Sequence, residues 1–342
     1  MSITVKESPT PQVQGAALLA HVAGYVGHRT IAMGLRSGLI SAIAAKPGTS
    51  AVELAATLEL DELYVFVWCR SALGAGVLER QSEGFRLAEH LDTLLLDNTS
   101  PSYLGGVFSV LEQPEVFDRF ERHLASGERM WWDDTSPEWI AGVGETGTPF
   151  YTRLVPGGLD QIPGLAQRLA TGCRVVDTAC GSGTGVVRLA HCYPACHVVG
   201  VDGDQHSLDL ARQRVAEAGL TERVTLVHSP LELMRLDETA TLVVNNISMH
   251  ECRDIDQVTI NVSTALEPGG WFVISDFPFP DSDEGLRSLA GRVMSGIQFF
   301  EAQIDDQLLP RATYDELLTR HGFRDLGFLH LSPVHAVTYA RT

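Results

Sequence analysis

Two kinds of segment alternate along residues 174–276. Short apolar runs that resemble buried strands are separated by longer stretches in which apolar residues recur at helical spacing. The strand-like runs are 174–177, 198–202, 224–228, 240–245 and 271–276, and the helical stretches are about 185–191, 206–219, 231–235 and 255–265. Two further strand-like runs, 323–331 and 334–340, follow towards the C-terminus. This alternation predicts an α/β fold with a parallel, doubly wound, Rossmann-like sheet.

The N-terminal part of the chain has a different pattern, which predicts short helices followed by a hairpin. Pro47-Gly48-Thr49-Ser50 ends one helix and caps the next, and Asp61 caps a third. The predicted helices are about 52–58 and 62–75, and the predicted hairpin strands, 77–80 and 85–87, flank Gln81-Ser82-Glu83-Gly84. Two helices followed by a hairpin form the outline of a winged-helix domain.

A winged-helix outline raises the question of DNA binding, and the second helix argues against it. Residues 62–70 are largely apolar and contain one basic residue, Arg70. Contacts with DNA phosphates need several Lys and Arg side chains. We therefore predict that this helix is buried and that nucleic acid is not a partner.

Composition and charge narrow the class of protein. The 342 residues are 44% apolar and 20% charged, which indicates a packed core rather than disorder. The formal net charge of −18 disfavours binding to nucleic acid or anionic membranes and favours a small-molecule or basic substrate. The polar N-terminus lacks a signal-peptide pattern, and charged residues interrupt the apolar stretch 15–45. We therefore predict a cytoplasmic protein with no membrane partner.

Six scattered cysteines predict no disulfide framework. The segment His191-Cys192-Tyr193-Pro194-Ala195-Cys196-His197 contains four residues of the metal-ligand type. Ligands so close together rarely enclose a tetrahedral zinc ion without a second cluster. The segment also falls where a helix ends and the next strand begins. We therefore predict no metal site.

A glycine-rich turn carries the most specific chemistry of the chain. Asp177 ends a strand-like run, Cys180-Gly181-Ser182-Gly183-Thr184-Gly185 follows it, and the next strand-like run ends in Asp202. Glycines after a strand let the backbone approach a ligand, and an acid at the end of the next strand can bind ribose hydroxyls. The spacing is G-x-G-x-G rather than the dinucleotide G-x-G-x-x-G, and Asp177 would repel a pyrophosphate. A carboxylate there suits a ligand with an ammonium group and a sulfonium cation.

This pattern resembles the class I S-adenosylmethionine (SAM) methyltransferases. The resemblance implies a seven-stranded sheet closed by an antiparallel hairpin, SAM as cofactor and S-adenosylhomocysteine (SAH) as product. It implies that Asp177 holds the methionine amino group and that Asp202 takes both ribose hydroxyls. The other implied cofactor-binding residues are Gly181, Gly183, Gly185, Gly203, Leu231 against the adenine ring, and Asn245 near the methionine end.

The N-terminal outline widens the resemblance to the small-molecule O-methyltransferases. In that family an N-terminal winged-helix-like domain forms a homodimer, and its helices close over the acceptor pocket. The implied domains are 1–100 for dimerisation and the lid, 101–165 for a helical connector, and 166–342 for SAM binding. The connector contains aromatic residues that can line an apolar acceptor site, namely Trp131, Trp132, Trp139, Phe150 and Tyr151.

A histidine follows the fourth strand of the predicted sheet, where ligands of doubly wound folds bind. The small-molecule O-methyltransferases carry a general-base His followed by an acid near this place, and His250-Glu251 matches that pair with Glu in place of the usual Asp. A His side chain suits the removal of a hydroxyl proton during in-line methyl transfer. The family also places a Glu near Leu309-Pro310-Arg311 to orient the His, and this chain has none there.

The favoured function is therefore transfer of a methyl group from SAM to a small, apolar or aromatic metabolite. An oxygen acceptor is favoured, and nitrogen or carbon acceptors stay open. Two alternatives remain. The same fold can use SAM as an electrostatic element in a cyclisation or rearrangement, and a winged helix is also typical of ligand-sensing regulators.

Overall fold

The computed structural model describes residues 10–131 and 134–342 of the chain. The chain divides into two compact units. The first is formed by Met1–Asp97 and Ser102–Glu112, and the second by Asn98–Pro101 and Gln113–Thr342.

The first unit is mostly helical and contains one two-stranded antiparallel hairpin. Its elements are α1 (Pro11–Arg36), α2 (Leu39–Ala45), α3 (Ala51–Leu58), α4 (Glu62–Gly74), β1 (Leu78–Gln81), β2 (Gly84–Leu87), α5 (Leu91–Leu95) and α6 (Gly105–Val110). Ser50 and Glu53 form a capping box at the start of α3, and the Asp61 carboxylate accepts a hydrogen bond from the Tyr64 N–H at the start of α4. The predicted helices at 52–58 and 62–75 and the predicted hairpin are confirmed.

Helix α1 corrects the prediction that the N-terminal part contains only short helices, because it has 26 residues. Its interior glycines lower helix stability by only about 1 kcal/mol each, which packing can offset. Gly34 allows a close approach, since an added Cβ would lie 2.4 Å from the Trp68 ring of α4. The Trp68 indole N–H also donates to the Thr30 carbonyl across 2.9 Å.

Helix α4 is buried on one face only, so the prediction of a buried helix is wrong for its other face. Val65, Trp68 and Cys69 are buried. Tyr64 and Val67 on the other face are 77% and 58% exposed. An apolar composition all round indicated burial, whereas the structure divides these residues between a core and an open surface.

The second unit contains the predicted sheet. Its strands are β3 (Arg174–Thr178), β4 (His197–Asp202), β5 (Val224–His228), β6 (Ala240–Asn246), β7 (Leu266–Asp276), β8 (Arg324–Ser332) and β9 (His335–Arg341). The order is β5-β4-β3-β6-β7-β9-β8. Strands β3 to β7 are parallel, while β9 pairs antiparallel with β7 and with β8. The predicted doubly wound, seven-stranded fold is confirmed.

Helices cover both faces of this sheet. The helices of the second unit are α7 (Asp118–Arg122), α8 (Pro137–Arg153), α9 (Leu165–Ala170), α10 (Thr184–Cys192), α11 (Gln205–Glu217), α12 (Ile255–Ala265), α13 (Asp283–Arg287), α14 (Leu289–Glu301) and α15 (Arg311–Arg320). Helices α9, α10 and α11 pack on one face of the sheet, and α12 and α15 pack on the other. The predicted helix at 231–235 is only a short 3₁₀ turn, Leu231–Leu233. Among the described residues, no helix is long and apolar enough to cross a membrane.

The strand order positions the site. From β3 the chain adds β4 and β5 on one side of β3, and then returns to add β6 on the other side. The strand order therefore reverses beside β3, and the carboxyl ends of β3, β4 and β6 surround this switch point. Ligands of doubly wound sheets bind at such a point. Asp177 and Asp202 lie at the ends of β3 and β4.

Candidate active site

The glycine-rich turn connects β3 to α10 through left-handed backbone. Gly181 has a φ of 51° and Gly183 a φ of 84°, values that favour glycine. An added Cβ at Gly183 would lie 2.9 Å from the Ala211 Cβ of α11, so this glycine also allows two helices to approach. The turn therefore leaves α10 to begin at Thr184, with its N-terminus at the switch point.

Gly185 makes room for a buried contact between two helices and a strand. An added Cβ at Gly185 would lie 2.1 Å from Tyr151 Cε1 and 2.3 Å from Asp177 Oδ2. The Tyr151 hydroxyl of α8 donates to Asp177 Oδ1 at 3.0 Å and lies 3.1 Å from Oδ2. Tyr151 was predicted as part of an acceptor wall, and here it holds the strand-end acid.

Asp177 is fully buried, and burial raises its pKa to about 8. The Tyr151 hydrogen bond opposes this shift, and the nearby charge of Asp202 adds to it. A buried carboxylate with a raised pKa is stabilised in its charged form by an incoming cation. The site therefore suits the ammonium group that the sequence predicts for Asp177.

Asp202 organises the turn from the neighbouring strand. Its Oδ2 accepts a hydrogen bond from the Gly181 N–H at 2.7 Å, and its Oδ1 accepts one from the Asp204 N–H at 2.8 Å. Burial raises the pKa of Asp202, while these backbone N–H groups oppose the shift. The carboxylate is thus fixed beside the glycine-rich turn, where its remaining lone pairs can accept ribose hydroxyls.

The other predicted cofactor residues lie around the same strand ends. Gly203 follows Asp202 and packs against Pro230, whose Cα would lie 3.5 Å from an added Cβ. Leu231 is buried against the core beside α12. Their predicted cofactor contacts stay predictions.

Asn245 and Asn246, at the end of β6, differ in how their amides are used. The Asn245 side chain donates to Thr178 Oγ1 at 3.2 Å and accepts from the Ser248 hydroxyl at 3.1 Å. Asn246 Oδ1 accepts from the Ser275 hydroxyl at 2.7 Å, whereas its Nδ2 is buried and has no hydrogen-bond partner among the described residues. Asn246 therefore offers a buried donor at the switch point, and the predicted cofactor contact of Asn245 stays a prediction.

A chain of hydrogen bonds fixes the orientation of the Asn246 amide. The Arg153 Nε–H donates to His335 Nδ1 at 3.0 Å, so the proton of this neutral ring is on Nε2, which lies 2.7 Å from Ser275 Oγ. Burial and the charge of Arg153 keep the pKa of His335 well below its usual value, consistent with a neutral ring. Ser275 then donates to Asn246 Oδ1.

His250 lies after β6, where the sequence placed the candidate base. Its Nδ1–H donates to Asp276 Oδ2 at 2.8 Å. Asp276 ends β7 and also accepts from the Tyr314 hydroxyl at 2.5 Å and from the Phe277 N–H at 2.8 Å. These contacts fix the ring and leave the Nε2 lone pair available to a reacting group.

Glu301 faces that lone pair from the end of α14. Its Oε2 lies 3.7 Å from His250 Nε2, and the residue is 4% exposed. Burial lowers the pKa of His250, but Asp276 and Glu301 outweigh burial and raise this pKa well above its usual value. Two acids, Asp276 and Glu301, therefore lie beside His250. The Glu that the family places near residues 309–311 is absent from this chain, and Glu301 lies beside the ring instead.

Aromatic residues lie beside this ring. The Phe277 ring is 6.2 Å from the His250 ring and 4.9 Å from the Phe150 ring. Trp139 is buried against Phe300 at 4.2 Å, and the Arg253 guanidinium stacks on Trp131 at 3.8 Å. Trp132 lies outside the described residues. Phe277 thus lies beside the candidate base, with Phe150 packed against it.

Residues 191–197 connect the end of α10 to the start of β4, and so lie at the end of β4 opposite Asp202. Cys192 ends α10, and His197 begins β4. Cys196 Sγ lies 3.6 Å from Cys173 Sγ and 3.3 Å from the Leu169 carbonyl. The predicted lack of a metal ion at this segment stays a prediction.

Comparisons with known proteins agree with this geometry. Residues 175–270 match a family model described as a methyltransferase domain. The 27-O-demethylrifamycin SV methyltransferase of Amycolatopsis mediterranei is 29% identical over 135 residues, which cover 39% of this chain and 49% of that protein. The chain spans about half the length of the curated relatives it matches.

Solved structures match over nearly the whole chain. An O-methyltransferase family protein from Burkholderia thailandensis has a TM-score of 0.72 and 18% identity, covering 98% of each chain. Human N-acetylserotonin methyltransferase, solved with SAM, has a TM-score of 0.70 and 15% identity, covering 100% of this chain and 99% of that chain. At these identities the likeness shows the fold. The predicted resemblance to the class I SAM-dependent methyltransferases is confirmed.

Proposed function

We propose that this protein is a SAM-dependent methyltransferase that acts on a small aromatic or apolar molecule, with a hydroxyl group as the favoured acceptor. One arrangement carries the proposal. The buried Asp177 ends β3, the half-buried Asp202 ends the neighbouring strand β4 on the other side of the glycine-rich turn, and His250 follows β6, the strand on the other side of β3.

The chain's own residues fit SAM at this point. Asp177 is a buried carboxylate with no cationic partner among the described residues, and it suits the methionine ammonium group. Asp202 is fixed beside Gly181 and suits the ribose hydroxyls. Asn246 offers its buried N–H to an oxygen of a bound ligand. SAM, when bound, supplies a methyl group already activated by the sulfonium.

His250 suits the removal of the acceptor proton. Its Nδ1–H is held by Asp276, so Nε2 can take the proton of a hydroxyl as the oxygen forms its bond to the methyl carbon. The charge that develops on the ring then lies between Asp276 and Glu301. Glu301 and Asp276 act through His250 and are positioning residues for this step.

The balance of products tests the reaction. Wild-type protein incubated with SAM and a panel of phenols should release SAH and a methylated phenol in equal amounts. Mass spectrometry measures both products. Turnover of a phenol into a rearranged product while SAM stays intact would instead favour the cyclisation alternative.

We further propose that the protein is a homodimer through its first unit. Helices α1 and α4 pack on each other, and both leave large apolar side chains exposed: Leu18, Leu19, Val22, Tyr25, Leu63, Tyr64 and Val67. An apolar surface of this kind is typical of an interface. A second copy of the chain is the occupant that the O-methyltransferase resemblance implies.

Sedimentation velocity tests the dimer. Wild-type protein should sediment as a dimer, and the double variant Leu19→Glu, Tyr64→Glu as a folded monomer, because charges on both helices oppose burial of this surface. Val52→Glu, on α3 and also exposed, serves as the control. A wild-type monomer at micromolar concentration would contradict this proposal.

A further inference from the structure

The surroundings of His250 contain more negative charge than deprotonation requires. Asp276 is satisfied by His250, Tyr314 and the Phe277 N–H. Three further carboxylates act on the same region, and we call Glu251, Glu301 and Asp306 the acidic cluster. Burial raises the pKa of Glu251 and of Asp306, the charge of Glu301 adds to both shifts, and the charge of Asp306 adds to that of Glu251.

Glu301 gives this cluster a buried oxygen without a hydrogen bond. Its Oε2 has no hydrogen-bond partner among the described residues, and the side chain is 5% exposed. The 3.7 Å to His250 Nε2 is too long for a hydrogen bond. An unpaired buried carboxylate oxygen is costly, so a ligand atom that contacts Oε2 gains binding energy.

The cations near the cluster do not balance it. His250 already shares its charge with Asp276. The Arg253 guanidinium stacks on the Trp131 ring, and its positive charge lowers the pKa of Asp306. Burial raises the pKa of Asp306 to about 6, and that of Glu251 well above its usual value, so these acids lack full compensation.

We propose that the methyl acceptor carries an amine, and that the acidic cluster binds it as an ammonium group next to the atom that receives the methyl. This proposal rests on the proposed function and adds the substrate class. Glu301 takes the ammonium, while His250 Nε2 faces the reacting atom. Glu251 and Asp306 are half-buried, and both lie close enough to Glu301 for its charge to raise their pKa values. The net charge of −18 attracts such acceptors and repels carboxylates.

Three phenols of similar size test the proposal by calorimetry on protein saturated with SAH. They are 2-(aminomethyl)phenol with an ammonium group, 2-ethylphenol without charge, and 2-hydroxybenzoate with a carboxylate, and each carries its test group beside the hydroxyl. 2-(Aminomethyl)phenol should bind about tenfold tighter than 2-ethylphenol, because one charge-assisted hydrogen bond is gained in a buried site. 2-Hydroxybenzoate should bind more weakly than either.

Variants assign the preference to the cluster. Glu301→Gln should reduce the preference for 2-(aminomethyl)phenol over 2-ethylphenol to about twofold or less while SAH affinity is unchanged. Asp306→Asn should reduce this preference in part. Because Asp306 is half-buried, this variant still tests the proposal if Glu301→Gln does not fold. Glu222→Gln, on the exposed surface, should keep the full preference.

Several outcomes would overturn the amine proposal. One is equal affinity for 2-(aminomethyl)phenol and 2-ethylphenol, and another is no binding of 2-(aminomethyl)phenol at millimolar concentration. The ligand atoms of His250, Glu251 and Glu301 lie within 4.8 Å of one another. A divalent metal ion can therefore bind the same carboxylates in place of an ammonium group. Stoichiometric binding of Mn²⁺ or Zn²⁺ alone that Glu301→Gln abolishes would assign the cluster to a metal. Failure of SAH binding in the same titrations would instead count against the proposed function.

Discussion

Replacing Asp202 by alanine is expected to weaken SAH binding by about a hundredfold. Two charge-assisted hydrogen bonds from ribose hydroxyls to one carboxylate contribute about 3 kcal/mol together, which corresponds to that factor. The variant also frees the Gly181 and Asp204 N–H groups, which Asp202 holds at 2.7 and 2.8 Å. Loss of these contacts loosens the glycine-rich turn and adds to the effect. Isothermal titration calorimetry measures the affinity.

Matched variants separate the cofactor contact from a general loss of charge. Asp209→Ala removes an exposed acid on α11, close in sequence to Asp202, and should leave SAH affinity unchanged. Asp202→Asn keeps the shape of the side chain and should be intermediate. SAH affinity that is equal in wild type and Asp202→Ala would show that Asp202 does not bind the ribose.

Replacing His250 by alanine is expected to lower turnover of a hydroxyl acceptor by about a hundredfold to ten-thousandfold, the range for loss of a general base. SAH affinity should stay within about twofold, because His250 has no assigned cofactor contact. The ring is buried, so thermal unfolding must accompany the kinetics. Normal turnover by folded His250→Ala protein would remove His250 from the role of base.

The pH dependence gives a second readout on the same residue. A base must be neutral, and Asp276 and Glu301 raise the pKa of His250 well above its usual value. Activity should therefore be lost as pH falls through this raised pKa and be retained above it. Asp276→Asn removes a negative charge beside His250 and thereby lowers the pKa of the ring. The midpoint of the pH–activity profile of this variant should therefore move to lower pH, while the fold is kept. An unchanged midpoint would show that Asp276 only supports the structure.

The cofactor half of the site can be predicted from the sequence because its acids follow a simple rule. Asp177 and Asp202 each end an apolar strand, and the glycines between them need left-handed backbone. Asp276 obeys the same rule at the end of β7 and could have been found in the same way. Parallel strands bring all three acids to one edge of the sheet.

Glu301, the second acid beside His250, could not be predicted in the same way. Glu301 ends the helix α14, where an acid is commonly exposed, and no local pattern distinguishes a buried Glu from a solvated one.

The hydrogen-bond chain Arg153–His335–Ser275–Asn246 joins residues that are far apart in sequence. The pairing of β7 with β6 and with β9, and the contact of α8 with β9, bring them together.

The exposed face of α4 shows a third limit of sequence patterns. The side chains of this helix are apolar on every side, a pattern that predicted burial of all its faces. An interface between two chains produces the same pattern, because its residues are buried only in the assembly. Sequence periodicity alone does not separate a core from such an interface.

The central claim is that the Asp177–Asp202 site binds SAM rather than a dinucleotide. Calorimetric titration of the wild-type protein with SAH, and separately with NAD⁺, tests it most directly because no acceptor is needed. We expect one SAH site per chain with micromolar affinity and no heat of binding for NAD⁺. Saturable binding of NAD⁺ with no binding of SAH would contradict the claim.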